Sequence, residues 1–383
     1  MSRSEQSTGT CAAKPIALDE SSEYLTQQLI TYIGNKRALL DFIGDGLSVV
    51  QDRLNRKKLV LFDVFSGSGV VARYFKQYSS KLIVNDLERY SEIINQCYLS
   101  NASEIDRPTL ETAYQDILHR LNTLPLSAGL ISDLYAPKDE REIGDGERVF
   151  YTPRNARYLD TARQHIAELP APLQCYLLAP LLSEASVHAN TSGVFKGFYK
   201  ETASGKGQFG GNNRDALQRI LGDVELKFPV FSSFECEYQV FRGDSNDIAG
   251  QVEEVDLAYI DPPYNQHPYG SNYFMLNLLV DYKTPRSISE VSGIPCDWNR
   301  SAYNKRQFAQ QALSELVEKL KAKFLLVSFN SEGFIKQDEM LELLGGVGKV
   351  QTLETKYNAF RGSRNLGNRD KHVKEYLYLV EKW

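Results

Sequence analysis

The residues most able to do chemistry are four consecutive ones, Asp261, Pro262, Pro263 and Tyr264, which follow an apolar, strand-like run over 255–260. A carboxylate at the end of a strand can accept one N–H of a planar exocyclic amine, and the Pro262 carbonyl can accept the other. The prolines fix φ and remove backbone donors, while Tyr264 offers a flat face on which a heterocycle can stack. The pattern predicts a pocket for an amino group. The alternative is a proline stop at a strand end beside an ordinary surface tyrosine.

A second pattern lies upstream, where an apolar strand over 59–63 runs into a glycine turn over 65–69 and then a helical run over 70–75. This order lets a ligand lie against the start of a helix at the edge of a parallel sheet. The next strand ends near Asp86, about 20 residues beyond the turn, where an acid can bind ribose hydroxyls. The turn has only two glycines, so dinucleotide binding is the weaker interpretation, and a plain strand-to-helix turn is the alternative.

Together, the FSGSG turn, the acidic strand end and DPPY resemble the S-adenosylmethionine-dependent DNA N6-adenine methyltransferases, specifically the D12 class that includes the Dam enzymes. The family's Y/W-x-G-G-K-like element is matched by residues 32–36, with Asn35 in place of the second glycine. Asn tolerates the left-handed backbone better than most residues, so this departure is mild. The stretch 183–197 resembles the family's DNA-facing segment, and the resemblance runs from about residue 23 to the C-terminus.

The resemblance implies an α/β, Rossmann-like methyltransferase fold with a mixed, largely parallel sheet and an inserted, mainly helical DNA-recognition domain. Alternating strands and helices favour the same fold class. We expect strands near 58–63, 81–85, 235–241, 255–260, 324–329, 347–354 and 376–380, the last two forming an antiparallel hairpin. Helices are expected around 153–168 and 171–187, and a helical period in 301–323 predicts that Phe308, Leu313 and Leu316 pack in the core.

The same organisation predicts four segments. Residues 1–22 form a disordered N-terminal tail, and 23–105 form the first, donor-binding part of the catalytic domain. Residues 106–229 form an inserted target-recognition domain. Residues 230–383 form the second part of the catalytic domain, with DPPY and the C-terminal hairpin.

For S-adenosylmethionine, the resemblance implies a set of binding residues. Tyr32, Gly34 and Lys36 would meet its methionine end, with Lys36 near the carboxylate, while Phe65, Gly67 and Gly69 would line the donor. Asp86 would hold the ribose hydroxyls, and Asp244 would occupy the family's position for the donor's adenine amino group. Asp63 would either orient the glycine loop or reach the donor's amino group. Each acid could instead cap the end of a strand.

Two basic clusters predict contacts with double-stranded DNA. Segment 191–213 combines glycines and aromatic residues, including Phe195 and Phe198, with Lys196, Lys200 and Lys206, and Arg214 follows. That composition suits phosphate contact and insertion beside an unstacked base. The second cluster surrounds the final hairpin and includes Arg361 and Arg364. The alternatives are a solvated glycine-rich loop and a charged turn.

Composition permits this interpretation. The formal charge is −5, but DNA binding depends on local rather than net charge. The five cysteines lack C-x-x-C spacing and the five histidines form no ligand pattern, so we expect neither a metal site nor a disulfide framework. We also expect a cytoplasmic protein without membrane association, because no run approaches about 20 apolar residues and the N-terminus lacks an apolar signal sequence.

The expected reaction is site-specific methylation of N6 of an adenine flipped out of DNA. Such an enzyme would belong to a restriction-modification system, beside a cognate restriction endonuclease, or to a phage or host DNA-modification system, and no obligate protein partner is evident. The same pocket could hold the amino group of an RNA adenine or of a protein glutamine amide. Other classes that remain open are a catalytically silent nucleic-acid-binding module and a nucleotide-dependent oxidoreductase.

Overall fold

The computed structural model describes residues 20–27, 29–211, 214, 216–358 and 372–383. Within these residues one sheet contains seven strands in the order β3-β2-β1-β4-β5-β7-β6. The strands are β1 Leu59–Asp63, β2 Ser79–Asp86, β3 Glu237–Arg242, β4 Val255–Ile260, β5 Ala322–Asn330, β6 Gly348–Asn358 and β7 His372–Lys382. The seven predicted strands are therefore confirmed.

The sheet is parallel from β3 to β5 and antiparallel at β7 and β6. All six residues of β4 are buried, which explains why its sequence is a nearly continuous apolar run. From β1, the chain adds β2 and then β3 toward one edge of the sheet. It then returns to place β4 on the other side of β1, with β5 beyond β4. The carboxyl ends of β1 and β4 meet at this reversal, and a crevice at such a point is where open α/β sheets bind ligands.

Helices surround the sheet. They are α1 Ser22–Thr26, α2 Leu40–Leu54, α3 Val70–Lys76, α4 Arg89–Tyr98, α5 Arg107–Thr123, α6 Leu130–Tyr135, α7 Pro153–Ala167, α8 Ala171–Val187, α9 Leu217–Leu221, α10 Ser245–Ile248, α11 Tyr269–Asn272, α12 Phe274–Asp281, α13 Arg306–Lys319 and α14 Gln337–Gly345. The two helices predicted around 153–168 and 171–187 are confirmed as α7 and α8. The first begins as its sequence predicts, because Thr152 accepts the Asn155 N–H at 3.1 Å and Pro153 occupies the first turn.

The expectation for α13 is correct for Leu313 and Leu316, which are buried, and wrong for Phe308, which is 42% exposed. At about 100° per residue, Phe308 lies roughly 140° around the helix from Leu313 and so falls outside the buried stripe. The Lys305 ammonium lies 5.6 Å from the centroid of its ring instead.

The helices between β2 and β3 do not pack by themselves. Side chains of α5 to α8, such as Leu177 and Leu181, share one hydrophobic cluster with Tyr90 of α4 and Leu276 of α12. Each fully buried side chain of this size contributes about 1.5–3 kcal/mol to stability. The shared cluster therefore holds these helices against the layer that covers the sheet. The domain boundaries at 106 and 229 stay a prediction.

In the part of the chain that the structure describes, no helix is long and apolar enough to cross a bilayer. The same residues bring together no group of three or more His, Cys, Asp or Glu side chains that could hold a metal ion.

Candidate active site

A cavity opens at the carboxyl ends of the central strands, the edge at which open α/β sheets bind small ligands and cofactors. The predicted residues that line it are Tyr32, Gly34, Phe65, Asp86, Asp244, Asp261 and Pro263. The structure therefore brings together residues from the turn after β1 and from the ends of β2, β3 and β4. The predicted residues that lie outside this lining are Lys36, Asp63, Gly67, Gly69, Pro262 and Tyr264.

The two glycines of the turn are required by its backbone and by its neighbours. Gly67 has φ +53° and Gly69 has φ +74°, in the left-handed region that favours glycine. A Cβ atom on Gly67 would lie 2.9 Å from the ring of Tyr32, and one on Gly69 would lie 2.9 Å from Oδ1 of Asn95. The turn can therefore approach Tyr32 at Gly67 and Asn95 at Gly69 only because these positions lack a side chain.

Asp86 holds this turn in place. Its Oδ2 accepts the Gly67 N–H at 2.8 Å, and its Oδ1 accepts the Glu88 N–H at 2.9 Å. Burial raises the pKa of Asp86 to about 6, although the backbone N–H groups oppose the shift. Each carboxylate oxygen can still accept a second hydrogen bond. Asp86 can thus order the turn and face a ligand at the same time.

Glu88 is a cavity residue that the sequence interpretation missed. It is 2% exposed, and its Oε2 accepts hydrogen bonds from Asn277 at 2.5 Å and Asn299 at 3.0 Å. Burial, followed by the Asp86 charge, raises the pKa of Glu88 to about 7. Its position two residues beyond Asp86 could have suggested it. No motif marks Asn299, which reaches the cavity from the long connection between α12 and α13.

Tyr32 lies against the turn and lines the cavity. Its ring stacks on Tyr269 and Tyr273 with centroids 5.0 and 4.9 Å apart. The Tyr273 hydroxyl accepts the Ile33 N–H at 2.8 Å, and the Tyr269 hydroxyl donates to the Ile33 carbonyl at 3.1 Å. These contacts hold residues 32–34 beside the cavity.

Asn35 does not use the left-handed backbone that could have justified its replacement of glycine. Gly34 adopts that conformation instead, with φ +74°. Asn35 contributes its side chain, whose Oδ1 accepts the Arg37 N–H at 2.7 Å. The substitution is thus explained by a local hydrogen bond rather than by backbone freedom.

Asp261 lies where β4 ends, as its sequence position predicted. Burial raises its pKa to about 6, opposed by the neighbouring Lys36 ammonium and supported by Glu375. Tyr264 packs its ring against the Phe329 ring edge to face, with centroids 6.1 Å apart. The Phe334 N–H donates to the Tyr264 carbonyl at 3.1 Å, which fixes the loop.

Lys36 and Asp63 lie behind this loop. Lys36 is 5% exposed and pairs with carboxylates of the protein, at 3.1 Å from Asp261 and 2.9 Å from Glu375. Asp63 is 1% exposed, and burial together with the Asp261 and Asp86 charges raises its pKa well above the usual range. The structure therefore places Lys36 among protein acids rather than along the cavity. Glu375 had no sequence signal.

The predicted DNA-binding side chains Lys196, Lys200, Lys206 and Arg214 are all exposed. Burial and the Lys196 charge lower the pKa of His267, three residues beyond Tyr264. The neighbouring Phe195 N–H donates to the Asn272 carbonyl at 2.7 Å, so this segment lies beside α11, which follows the DPPY loop. Lys206 forms an exposed ion pair with Asp145 at 3.1 Å. Arg361 and Arg364 fall outside the described residues.

The aromatic residues of the same segment are not all available to a base. Phe195 and Phe198 are only 2% and 9% exposed and pack against Phe150. The expectation that these two rings insert beside an unstacked base is wrong, because doing so would remove them from the core. Asn190 organises the backbone here, donating to the carbonyls of Val149 and Gln208 at 2.7 and 2.8 Å.

The mostly parallel sheet, its antiparallel last strand and a ligand cavity at its carboxyl edge define a Rossmann-like methyltransferase fold. The sequence profile of the family described as D12 class N6 adenine-specific DNA methyltransferase matches residues 32–292. The chain belongs to this family, and both the predicted resemblance and the predicted fold class are confirmed.

Named relatives share nearly the whole chain. The sequence is 28% identical over 364 residues to the Type II methyltransferase M.NlaIII of Neisseria lactamica, covering 92% of this chain and 99% of that protein. It is 27% identical over 357 residues to the Type II methyltransferase M.CviAII of Paramecium bursaria Chlorella virus 1, covering 92% and 98%. It is 25% identical to the Type II methyltransferase M.FokI of Planomicrobium okeanokoites, where 361 aligned residues cover 92% of this chain and 52% of that protein.

Proposed function

We propose that this enzyme transfers a methyl group from S-adenosylmethionine to N6 of an adenine flipped out of double-stranded DNA at a specific site. The observation that carries the proposal is the position of Asp261, which lines the cavity at the end of β4 and begins the DPPY loop. An amine acceptor and a donor cavity are thus adjacent.

The cavity lining suits the proposed donor. It includes the carboxyl groups of Asp86, Glu88, Asp244 and Asp261, and no Lys or Arg is among the residues that line it. Such a site favours a cationic ligand with sugar hydroxyls and an amino group. It disfavours the pyrophosphate of a dinucleotide, which argues against the oxidoreductase alternative. Asp86 and Glu88 would hold the ribose, and Asp244 the adenine end.

When bound, S-adenosylmethionine supplies an electrophilic methyl carbon on a sulfonium sulfur. The Asp261 carboxylate and the Pro262 carbonyl would accept the two N–H groups of the target amine, which makes the nitrogen lone pair available. The new bond would join this nitrogen to the methyl carbon, and the carbon–sulfur bond would break with its electron pair left on sulfur. The nitrogen then loses one proton, which Asp261 accepts before passing it to water. Positioning and oriented acceptors would provide most of the acceleration.

The flipped base would reach Asp261 past Tyr264, because N6 cannot approach a donor while adenine is stacked and paired. Residues 106–229 would form the target-recognition domain, and Lys196 would meet a phosphate close to the flipped base. Several relatives are named Type II methyltransferases or modification methylases. We therefore infer a role in a restriction-modification system, with a cognate endonuclease as functional partner.

The test is a labelled methyl-transfer assay on a random duplex DNA library, followed by mass spectrometry of the nucleosides and sequencing of the methylated sites. We expect N6-methyladenine in one short sequence context. RNA and glutamine-containing peptides serve as competing substrates. Methylation of either in preference to DNA, or thermal stabilisation by NAD rather than by S-adenosylhomocysteine, would overturn the proposal.

We predict that replacing Lys196 and Lys200 together with Gln weakens DNA binding across all sequences. Both side chains are exposed, and the backbone next to Lys196 contacts α11 through the Phe195–Asn272 hydrogen bond. The slope of log affinity against log salt should become shallower by about 0.9 for each lost phosphate contact. Fluorescence anisotropy over a salt series measures this slope.

Lys321→Gln is the matched control. Lys321 is exposed and directly precedes β5, at the edge of the sheet opposite the cavity. Its removal should leave the slope unchanged. If the double variant also keeps the wild-type slope, segment 191–213 is a solvated loop rather than a phosphate-binding surface.

A further inference from the structure

Asp261 and two buried residues behind the DPPY loop, Lys36 and Glu375, form a row of three charged groups that we call the charge triad. The Lys36 Nζ lies 3.1 Å from Oδ1 of Asp261 and 2.9 Å from Oε1 of Glu375. Lys36 and Glu375 are 5% and 3% exposed. One ammonium and two carboxylates give the charge triad a net charge of −1 when all three groups are ionised.

Glu375 is held firmly by the sheet. It lies on β7 between β5 and β6, paired with Asn330 and Thr355. Besides Lys36, the Ser328 hydroxyl donates to its Oε1 at 3.0 Å. Burying a carboxylate costs several kcal/mol unless partners compensate it. A second acid beside an already paired lysine therefore calls for an explanation beyond stability.

Lys36 stays charged in this setting. Burial alone would lower the pKa of its ammonium, but Asp261 and Glu375 outweigh burial and raise it well above the usual range. The other titratable groups near Asp261 and Lys36 are Asp63, Tyr259, Tyr264 and Tyr269. Burial raises the pKa of Tyr259 and of Tyr269 well above the usual range, so both remain neutral. The lysine is thus the only cation in this set of groups.

We propose that Glu375 is a positioning residue that shares the Lys36 ammonium with Asp261. Because Lys36 also pairs with Glu375, Asp261 stays free to accept protons, and the site keeps enough negative charge to favour a sulfonium donor. This inference rests on the proposed function. Without the Glu375 carboxylate, Lys36 would pair with Asp261 alone and its charge would cancel that of the acceptor. With that carboxylate in place, Lys36 keeps an acidic partner when Asp261 takes up the proton released by the methylated nitrogen.

Glu375→Gln tests this inference because it removes one charge with little change in shape. Removing a neighbouring negative charge favours the ionised form of Asp261. The acid limb of the kcat profile should therefore move to lower pH by about one unit, and kcat on the plateau should fall about tenfold as Asp261 becomes a weaker acceptor. Glu375→Asp keeps the charge and should retain a limb close to that of the wild type.

Equilibrium binding supplies a readout that does not depend on turnover. The charge triad of Glu375→Gln is neutral, so calorimetry should show the preference for S-adenosylmethionine over neutral S-adenosylhomocysteine reduced about tenfold. The double variant Lys36→Met with Glu375→Gln restores a net charge of −1 through Asp261 alone. Its preference for S-adenosylmethionine over S-adenosylhomocysteine should return toward the wild-type ratio. If Glu375→Gln acted by disturbing the packing, the second substitution would add to the damage and the ratio would not recover. The double variant also keeps the test decisive if Glu375→Gln fails to fold.

Asp256→Asn serves as the control for removing a buried acid. Asp256 pairs with Lys323 at 2.8 Å at the opposite end of β4, so neither the pH limb nor the donor preference should move. A wild-type limb and ratio in Glu375→Gln, or no recovery of the ratio in the double variant, would overturn the role of Glu375. If the wild type methylates DNA adenine, either of these results leaves the proposed function intact. If the wild type does not methylate DNA adenine, the proposed function itself is overturned.

Discussion

Asp261→Asn is expected to lower kcat for DNA adenine methylation by about 10²–10³-fold, the effect of removing one oriented group that stabilises a transition state. The amide presents either a donor or a weaker acceptor to the target amine, and it cannot take up the released proton. Affinity for S-adenosylhomocysteine, which has no sulfonium charge, should be retained. Single-turnover methylation with saturating DNA measures the loss, and calorimetry measures the affinity.

The same carboxylate predicts the pH dependence of the wild-type enzyme. Burial raises the pKa of Asp261 to about 6, so the group is ionised above that pH and neutral below it. A neutral carboxyl group is a poor acceptor for the target N–H, and methyl transfer should therefore fall as the pH drops through about 6. The profile of kcat between pH 5 and 8 gives this limb directly.

Asp256→Asn is again the matched control, since it removes a buried, lysine-paired acid from the other end of the same strand. It should lose some stability and keep its single-turnover rate. Near-normal methylation by Asp261→Asn in the same assay would exclude Asp261 as the acceptor of the target amine.

Tyr264→Ala is expected to weaken binding of the target base more than binding of the donor. A base stacked on an aromatic ring is stabilised by about 1–3 kcal/mol, which corresponds to a loss of about 5-fold to 150-fold in catalytic efficiency. Tyr264→Phe or Tyr264→Trp retains a ring and should keep much more activity. An abasic or mismatched partner opposite the target adenine lowers the cost of flipping, so it should partly rescue the Ala variant.

Base flipping can be followed with 2-aminopurine at the target position, under donor-saturating conditions. The wild type should give a fluorescence increase that Tyr264→Ala reduces. The Phe variant controls for the edge-to-face packing of this ring against Phe329. Equal fluorescence and equal turnover in the wild type and the Ala variant would mean that Tyr264 only packs at the end of β4.

The sequence alone was sufficient to predict features that depend on a single continuous segment. Strands buried on both faces must be continuously apolar, so β1 and β4 were predictable, as were the turn glycines with positive φ. Because parallel strands bring their carboxyl ends to one edge of a sheet, Phe65, Asp86, Asp244 and Asp261 could be expected together. The family could also be recognised, since its motifs occur in a distinctive order along the chain.

Tertiary structure decided the features that depend on which distant segments meet. Lys36 and Glu375 are 339 positions apart, and only the antiparallel pairing of β5 with β7 brings the second carboxylate behind the DPPY loop. Burial also depends on packing, and it changed Glu88 from one more acid after a strand into a cavity residue. Packing likewise moved Phe195 and Phe198 from a candidate base-contacting surface into the core. Charge and aromatic character can be read along a sequence, but access to a ligand is a property of the packed neighbours.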